Sequence, residues 1–168
     1  MNVKKIMIIG SPGAGKSTFA RKLRDKTGLP LFYLDMIKHK PDRTEISCEE
    51  FDIKLREIVN LPEWIIDGNY QRTLDIRMRQ ADTIILFDLP MQVCLQGAIA
   101  RIGTTREDLP WIETEETLEN GFRKWIEEFS EKRLPDIYFL LDKYKDKDVV
   151  IFRSREEADK YLYNSDMQ

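Results

Sequence analysis

The segment Gly10-Ser11-Pro12-Gly13-Ala14-Gly15-Lys16-Ser17 is an unbroken GxxxxGK[ST] run, and it constrains this chain more than any other stretch. Such a run has meaning only between a strand and a helix. Both flanks qualify. Val3 to Ile9 is an apolar, β-branched stretch, and Phe19, Ala20 and Leu23 recur at helical spacing until Thr27-Gly28-Leu29-Pro30 ends the pattern. Glycines let the backbone curl until successive N–H groups point inward at phosphate oxygens. The helix start adds the positive end of its dipole. Gly10, Ser11, Pro12, Gly13, Ala14, Gly15, Lys16 and Ser17 are thus expected to cradle the phosphates of ATP. Lys16 would reach the β- and γ-phosphates, Ser17 would offer its hydroxyl to Mg2+, and Thr18 is a candidate for the α-phosphate.

The rest of the chain alternates strands with helices. Leu31 to Leu34 reads as a second strand, closed by Asp35, and Trp64 to Asp67 as a third. Thr83 to Phe87, closed by Asp88, is a fourth, and Val149 to Phe152 a fifth. Ser47 with Glu50, and Ser154 with Glu157, have the spacing of capping boxes that open helices. The first of these helices would bury Phe51, Leu55, Ile58 and Val59. A further helix is expected over about 92–102, and Leu118, Phe122, Trp125, Ile126 and Phe129 would share one face of another. Strands alternating with helices imply parallel pairing through crossovers. The expectation is a three-layer α/β/α fold with a five-stranded parallel sheet, forming one domain over residues 1–168. Ligands of such sheets bind at the carboxyl ends of the strands, where Gly10, Asp35, Asp67 and Asp88 all fall.

Composition narrows the partners. Net charge is −3 and the isoelectric point near 5.4, which argues against nucleic acid as the main ligand without excluding it. Residues 1–44 nevertheless hold ten Lys/Arg against three Asp/Glu, a field that attracts polyphosphate. No apolar run approaches the roughly 20 residues of a membrane-spanning helix, and the N-terminal apolar stretch runs into the glycine loop where a signal peptide would need a cleavage site. A cytoplasmic protein without a membrane partner is expected. Cys48 and Cys94 lack metal-ligand spacing.

A phosphate loop needs an acidic group to support its metal, and Asp67 and Asp88 both end apolar strands where such a group stands. Asp35 ends the second strand, across the crevice from the loop. A carboxylate there can orient an acceptor hydroxyl and take its proton, whereas a phosphate acceptor would need cations. Transfer also requires mobile positive charge. Arg101 and Arg106 flank the start of a hydrophilic segment, 103–116, whose composition suits a lid; Arg72 and Arg123 stand in reserve. His39 lies in a polar stretch and is expected to face solvent. The Asn-Lys-x-Asp segment by which many GTPases read guanine is missing.

The phosphate loop, Trp64 to Tyr70 (WIIDGNY), Ala81 to Pro90 (ADTIILFDLP) and the closing RSREEADKYL together resemble the adenylate-kinase-like P-loop proteins known as DNA topology modulation proteins. The resemblance spans nearly the whole chain, and its one highly specific motif is the phosphate loop. It implies a nucleoside-monophosphate-kinase-like fold, a short lid and Mg-ATP as donor. Relative to adenylate kinases proper, Asp67-Gly68 matches the start of their Asp-Gly-Phe-Pro-Arg segment, but Asn69, Tyr70 and Gln71 replace the rest and Arg72 falls one place late. Arg101 matches the second of two phosphate-contacting arginines, and Gly97 stands where the first would be. Tyr33-Leu34-Asp35 occupies the place of a Thr-Gly that helps hold AMP. The sequence therefore points to a kinase transferring the γ-phosphoryl group to a nucleotide or another small acceptor. The alternative is a nucleotide-dependent regulatory or DNA-associated protein with no small acceptor.

Overall fold

Every side chain of β1 (Lys5–Gly10) after the first is buried, so this strand needs apolar cover on both faces. The computed structural model, which describes residues 3–164, supplies it from two helical layers. β1 leads through the phosphate loop into α1 (Lys16–Thr27), followed by β2 (Leu31–Tyr33), α2 (Leu34–Lys38) and α3 (Cys48–Val59). β3 (Trp64–Asp67), α4 (Leu74–Gln80), β4 (Thr83–Phe87) and α5 (Met91–Arg101) come next. The chain continues through the short α6 (Glu115–Thr117), then α7 (Arg123–Lys132), α8 (Leu134–Lys143), β5 (Asp148–Phe152) and α9 (Arg155–Asn164).

All strand pairs are parallel, in the order β2-β3-β1-β4-β5. Side chains alternate across a strand, and β1 divides accordingly. Ile6 and Ile8 pack with Phe19, Leu23, Ala98 and Leu162 of α1, α5 and α9. Met7 and Ile9 pack on the other face with Phe51, Leu55, Met78 and Ile137 of α3, α4 and α8. α7 joins both layers, giving Ile126 to one and Phe129 to the other. The three-layer α/β/α architecture with five parallel strands is the one the sequence implies. β1 lies between β3 and β4, so the carboxyl ends of these three strands meet at the phosphate loop.

The local signals explain most boundaries. Ser47 accepts a hydrogen bond from the Glu50 N–H at 3.1 Å, and such a cap stabilises a helix start by about 1 kcal/mol. Ser154 likewise accepts from the Glu157 N–H, at 3.2 Å. The helix expected to carry Leu118 through Phe129 on one face is interrupted: Asn120 and Gly121 leave helical dihedrals, with Gly121 at φ 94°. The left-handed conformation open to glycine re-aims the chain before α7 begins. The sequence reading did not anticipate α4 or α8. No helix among the described residues is long and apolar enough to cross a membrane.

Candidate active site at the phosphate loop

Two glycines allow the loop to close against its neighbours. A Cβ on Gly13, whose φ is 75°, would lie 2.1 Å from the Cys94 carbonyl oxygen, and one on Gly97 would lie 2.1 Å from the Gly13 carbonyl oxygen. The loop and α5 thus touch backbone to backbone. The Arg155 guanidinium fills the space beside Gly97, donating to the Gly13 carbonyl at 3.0 Å and the Ala14 carbonyl at 3.4 Å. Lys16 Nζ curls back to donate to the Ser11 carbonyl at 2.9 Å. Desolvation holds this ammonium below its ordinary pKa, against the opposing pull of Asp67. Thr18 is exposed at the start of α1, and its hydroxyl accepts from Arg21 at 3.2 Å.

Beside the loop, Ser17 Oγ donates to Asp67 Oδ2 at 2.6 Å. Asp67 is 5% exposed. Burial raises its carboxyl to about 6, with Lys16 and the Ser17 hydrogen bond acting in the opposite direction. Its other oxygen, Oδ1, is buried with no hydrogen-bond partner. A hydroxyl and a carboxylate with an unengaged oxygen are the hard donors Mg2+ prefers, so these residues fit that ion. Asp88, the other aspartate proposed for the metal, is engaged elsewhere. Its Oδ2 accepts from the Tyr138 hydroxyl and the Arg153 guanidinium, each at 2.5 Å, and has no contact with Ser17.

Asp35 lies in the first turn of α2, which begins at Leu34 directly after β2, so it is a helical residue and not the strand end expected of it. Its Oδ1 accepts from the Tyr70 hydroxyl at 2.8 Å; burial holds Lys16 and Arg101 below their ordinary pKa values, and the Asp35 charge is near enough to oppose that shift in both. Burial, reinforced by Asp35, pushes the Tyr70 phenol far above its ordinary range, so this hydroxyl is a fixed donor. His39 departs from the solvent-facing position expected of it. Its side chain is 19% exposed, packs edge-on against Trp111 with ring centroids 5.0 Å apart, and meets the Tyr70 hydroxyl at 3.4 Å. The antiparallel bridge between His39 and Glu45 draws the ring inward.

The turn Gly68-Asn69-Tyr70 sets the position of this cluster, and two residues that the sequence reading passed over hold it. The Asn69 carboxamide accepts from the Gly10 N–H at 3.0 Å and donates to the Gly10 carbonyl at 2.8 Å. It acts as a surrogate peptide group that extends the β3–β1 ladder beyond the end of β3. Arg77, fully buried in α4, donates to the carbonyls of Gly68 at 2.7 Å, Tyr70 at 3.3 Å and Asn69. Burial lowers its pKa to about 9, which the Asp67 charge opposes. The WIIDGN run carried the only signal for Asn69, and nothing in the sequence marks Arg77 as distinct from a surface arginine.

A cavity of about 510 Å³ adjoins the loop, lined by Gly13, Lys16, Thr18, Arg101, Arg106 and Arg155 among others. Arg101 and Arg106 converge on Glu113 Oε2, at 3.5 and 2.5 Å. Arg106 also grips both oxygens of Asp108. The reserve arginines lie outside the cavity lining. Arg72 makes a bidentate pair with Asp52, both contacts at 2.8 Å, and Arg123 pairs with Glu119 at 3.0 Å. The sequence reading missed Asp108, whose Oδ2 lies 3.0 Å from Ser17 Oγ.

The parallel sheet, glycine loop and helix order define a P-loop kinase fold. The shikimate kinase of Bacteroides thetaiotaomicron superposes with a TM-score of 0.60 over 96% of this chain and 95% of that one, at 16% identity. A sugar kinase from a Janibacter species gives a TM-score of 0.52 over 96% and 91%, at 15% identity. In sequence, the chain is 28% identical to the adenylate kinase of Thermotoga neapolitana over 127 residues, covering 57% of each protein, and the Thermotoga maritima enzyme matches equally. The chain thus spans somewhat over half the length of these adenylate kinases. No family model matches it.

Proposed function

We propose that this protein is a kinase that transfers the γ-phosphoryl group of Mg-ATP to a small acceptor bearing a hydroxyl group. The observation that supports the reading is the phosphate loop with Ser17 on Asp67, together with an Asp35 carboxylate that Tyr70 holds within electrostatic reach of Lys16. Similarity to adenylate kinases, and a fold shared with shikimate and sugar kinases, support the kinase class.

The loop N–H groups and Lys16 would hold the donor phosphates, and Arg155 would keep the loop's carbonyls turned away from them. Ser17 and Asp67 would hold Mg2+, which screens the charge of the β- and γ-phosphates. The acceptor oxygen would form a bond to the γ-phosphorus as the bond to the ADP oxygen breaks. Tyr70 donates to one oxygen of Asp35, so the other is free to receive the acceptor's proton. Arg101 and Arg106, at the cavity rim, would turn from Glu113 to the transferring group, in a segment, 103–116, that serves as the lid. Rate enhancement in such a site is mainly positioning and charge stabilisation.

A nucleoside monophosphate is the second acceptor class, favoured by the adenylate kinase similarity. ADP release from Mg-ATP separates the readings when acceptors are supplied as pools of hydroxyl metabolites, nucleosides and nucleoside monophosphates. The hydroxyl pool is expected to stimulate release, and Lys16→Ala to abolish the stimulation. Stimulation by monophosphates alone would reverse the acceptor assignment. ATP binding with no stimulated turnover would favour the regulatory alternative.

A further inference from the structure

We propose that Asp108, carried by the segment between α5 and α6, is a ligand of the metal at Ser17, so that the metal site is completed only when this segment lies on the phosphate loop. The inference rests on the Mg-nucleotide reading above and adds a residue to it.

The argument begins with one hydrogen atom. Ser17 Oγ has carboxylate oxygens on two sides, Asp67 Oδ2 at 2.6 Å and Asp108 Oδ2 at 3.0 Å. A hydroxyl donates a single hydrogen. The shorter contact falls in the range of a charge-assisted O–H···O⁻ bond, about 2.5–2.7 Å, so the proton belongs to Asp67. Asp108 then faces the lone pairs of Ser17 Oγ, an arrangement of two electron-rich oxygens that a cation between them would stabilise. The separation suits such an ion. Two ligands at about 2.1 Å from Mg2+ and at right angles to each other lie about 3.0 Å apart, the distance between Ser17 Oγ and Asp108 Oδ2.

An independent feature points to the same place. Asp67, 5% exposed, leaves Oδ1 buried and without a partner while its other oxygen is fixed on Ser17. That oxygen is available to a metal or to a metal-bound water. No group of three or more His, Cys, Asp or Glu among the described residues forms a metal cage. Mg2+ does not require such a cage, since it is held through one or two carboxylates plus substrate phosphates. Asp108 is itself 3% exposed and is gripped through both oxygens by Arg106, with Arg21 at 3.7 Å. These cations lower the cost of burying the carboxylate, and they tie Arg106 to the metal site. Closing the segment would bring a metal ligand and a phosphoryl-facing arginine together.

The test measures Mn2+ binding by electron paramagnetic resonance on the full chain with a non-hydrolysable ATP analogue, for wild type, Asp108→Asn and Glu116→Gln, an exposed carboxylate of the same stretch. Asp108→Asn is expected to weaken Mn2+ binding to the analogue complex by about 10–100-fold, leaving analogue affinity in EDTA within about two-fold of wild type. Glu116→Gln should match wild type. Hydrogen exchange on wild type needs no variant. Amides of residues 104–108 should be better protected by analogue with Mn2+ than by analogue in EDTA. Asp108→Asn tightening the analogue equally with and without Mn2+, together with exposure of 104–108 on binding, would instead make Asp108 a plug and overturn the proposal. Unchanged Mn2+ affinity in Asp108→Asn also removes it, and leaves the kinase reading standing. Wild type that binds the analogue under neither condition refutes that reading and this proposal with it.

Discussion

Replacing Asn69 by alanine isolates the device that joins the phosphate loop to the sheet. The side chain makes two hydrogen bonds, 3.0 Å from the Gly10 N–H and 2.8 Å to the Gly10 carbonyl, and Gly10 is buried. Alanine would strand one buried donor and one buried acceptor at the end of β1. Each such group costs about 1–3 kcal/mol, which gives a loss of about 2–6 kcal/mol. For a chain of this size each kcal/mol moves Tm by about 2–4 °C, so a drop of about 4–24 °C is expected. Urea denaturation followed by far-ultraviolet circular dichroism, in EDTA and without nucleotide, measures the stability term alone. Asn69→Asp makes the comparison sharper. Its carboxylate can accept from the Gly10 N–H, but its second oxygen would face the Gly10 carbonyl, so at pH 8 it should be no more stable than Asn69→Ala. Arg77 holds the Asn69 backbone carbonyl in either variant, so the turn itself keeps its anchor. A loss below about 0.5 kcal/mol for Asn69→Ala, within the range of an ordinary surface substitution, would show that Gly10 is satisfied without the carboxamide and would refute the argument.

Two further perturbations test how the loop and helices are held. Gly97→Ala should destabilise by about 1–3 kcal/mol through overpacking against the Gly13 carbonyl and weaken nucleotide binding. The usual effect of this change within a helix is a gain of up to about 1 kcal/mol, so the sign of the shift in a thermal melt decides. Asp75 accepts from Lys143 at 2.6 Å and from the Tyr144 hydroxyl at 2.8 Å, tying α4 to α8 and its C-terminus. The hydrogen bond from Lys143, then that from Tyr144, holds its carboxyl below the ordinary value of 3.8. A depressed carboxyl adds stability above its unfolded pKa and loses it as pH falls through the folded one. Because Asp75 is 34% exposed, the contribution is discounted to about 1 kcal/mol or less. Asp75→Asn should therefore melt lower than wild type at pH 7, and the two curves should converge below pH 4. A gap that persists into acid would mean packing, not charge, is responsible.

What was legible in the sequence is what neighbouring residues decide. The phosphate loop, the strand ending at Asp67 and the strand ending at Phe87 rest on contiguous patterns and have the expected form, whereas only the Ser47 half of the expected capping box forms, Glu50 turning to Lys54 at 3.5 Å. α8 was also within reach: Leu134, Ile137 and Leu141 are buried at helical spacing and Pro135 lies in the first turn, a favoured place for it. The residues that were not legible act across the chain. Asn69 meets Gly10 from 59 positions away and Asp108 meets Ser17 from 91. Apart from the Thr73 hydroxyl at 3.2 Å, Arg77 binds backbone carbonyls, which every residue possesses, so no charged partner could reveal it. His39 misled for a related reason. A polar stretch reads as exposed, but the bridge to Glu45 and the face of Trp111 enclose the ring.

The departures from the adenylate kinase pattern acquire a common physical sense on this fold. Arg72, displaced by one position, pairs with Asp52 and not with the cavity. Gly97 gives up a guanidinium on α5, and Arg155 brings one to the same corner of the loop from α9. The donor side has therefore kept its positive charge. On the proposed reading the acceptor lies beside Asp35, which Tyr70 holds, with Glu45 3.4 Å from the ring of His39 and Lys38 turned to the Ile46 carbonyl. A singly charged phosphate held about 5 Å from the Asp35 carboxylate would meet a repulsion of about 3 kcal/mol at an effective dielectric constant of about 20. A difference of that size is more than 100-fold in binding. A neutral hydroxyl escapes the penalty and gains a hydrogen bond to the same oxygen. On the proposed reading, it is this repulsion from Asp35 that favours a hydroxyl over a phosphate as acceptor.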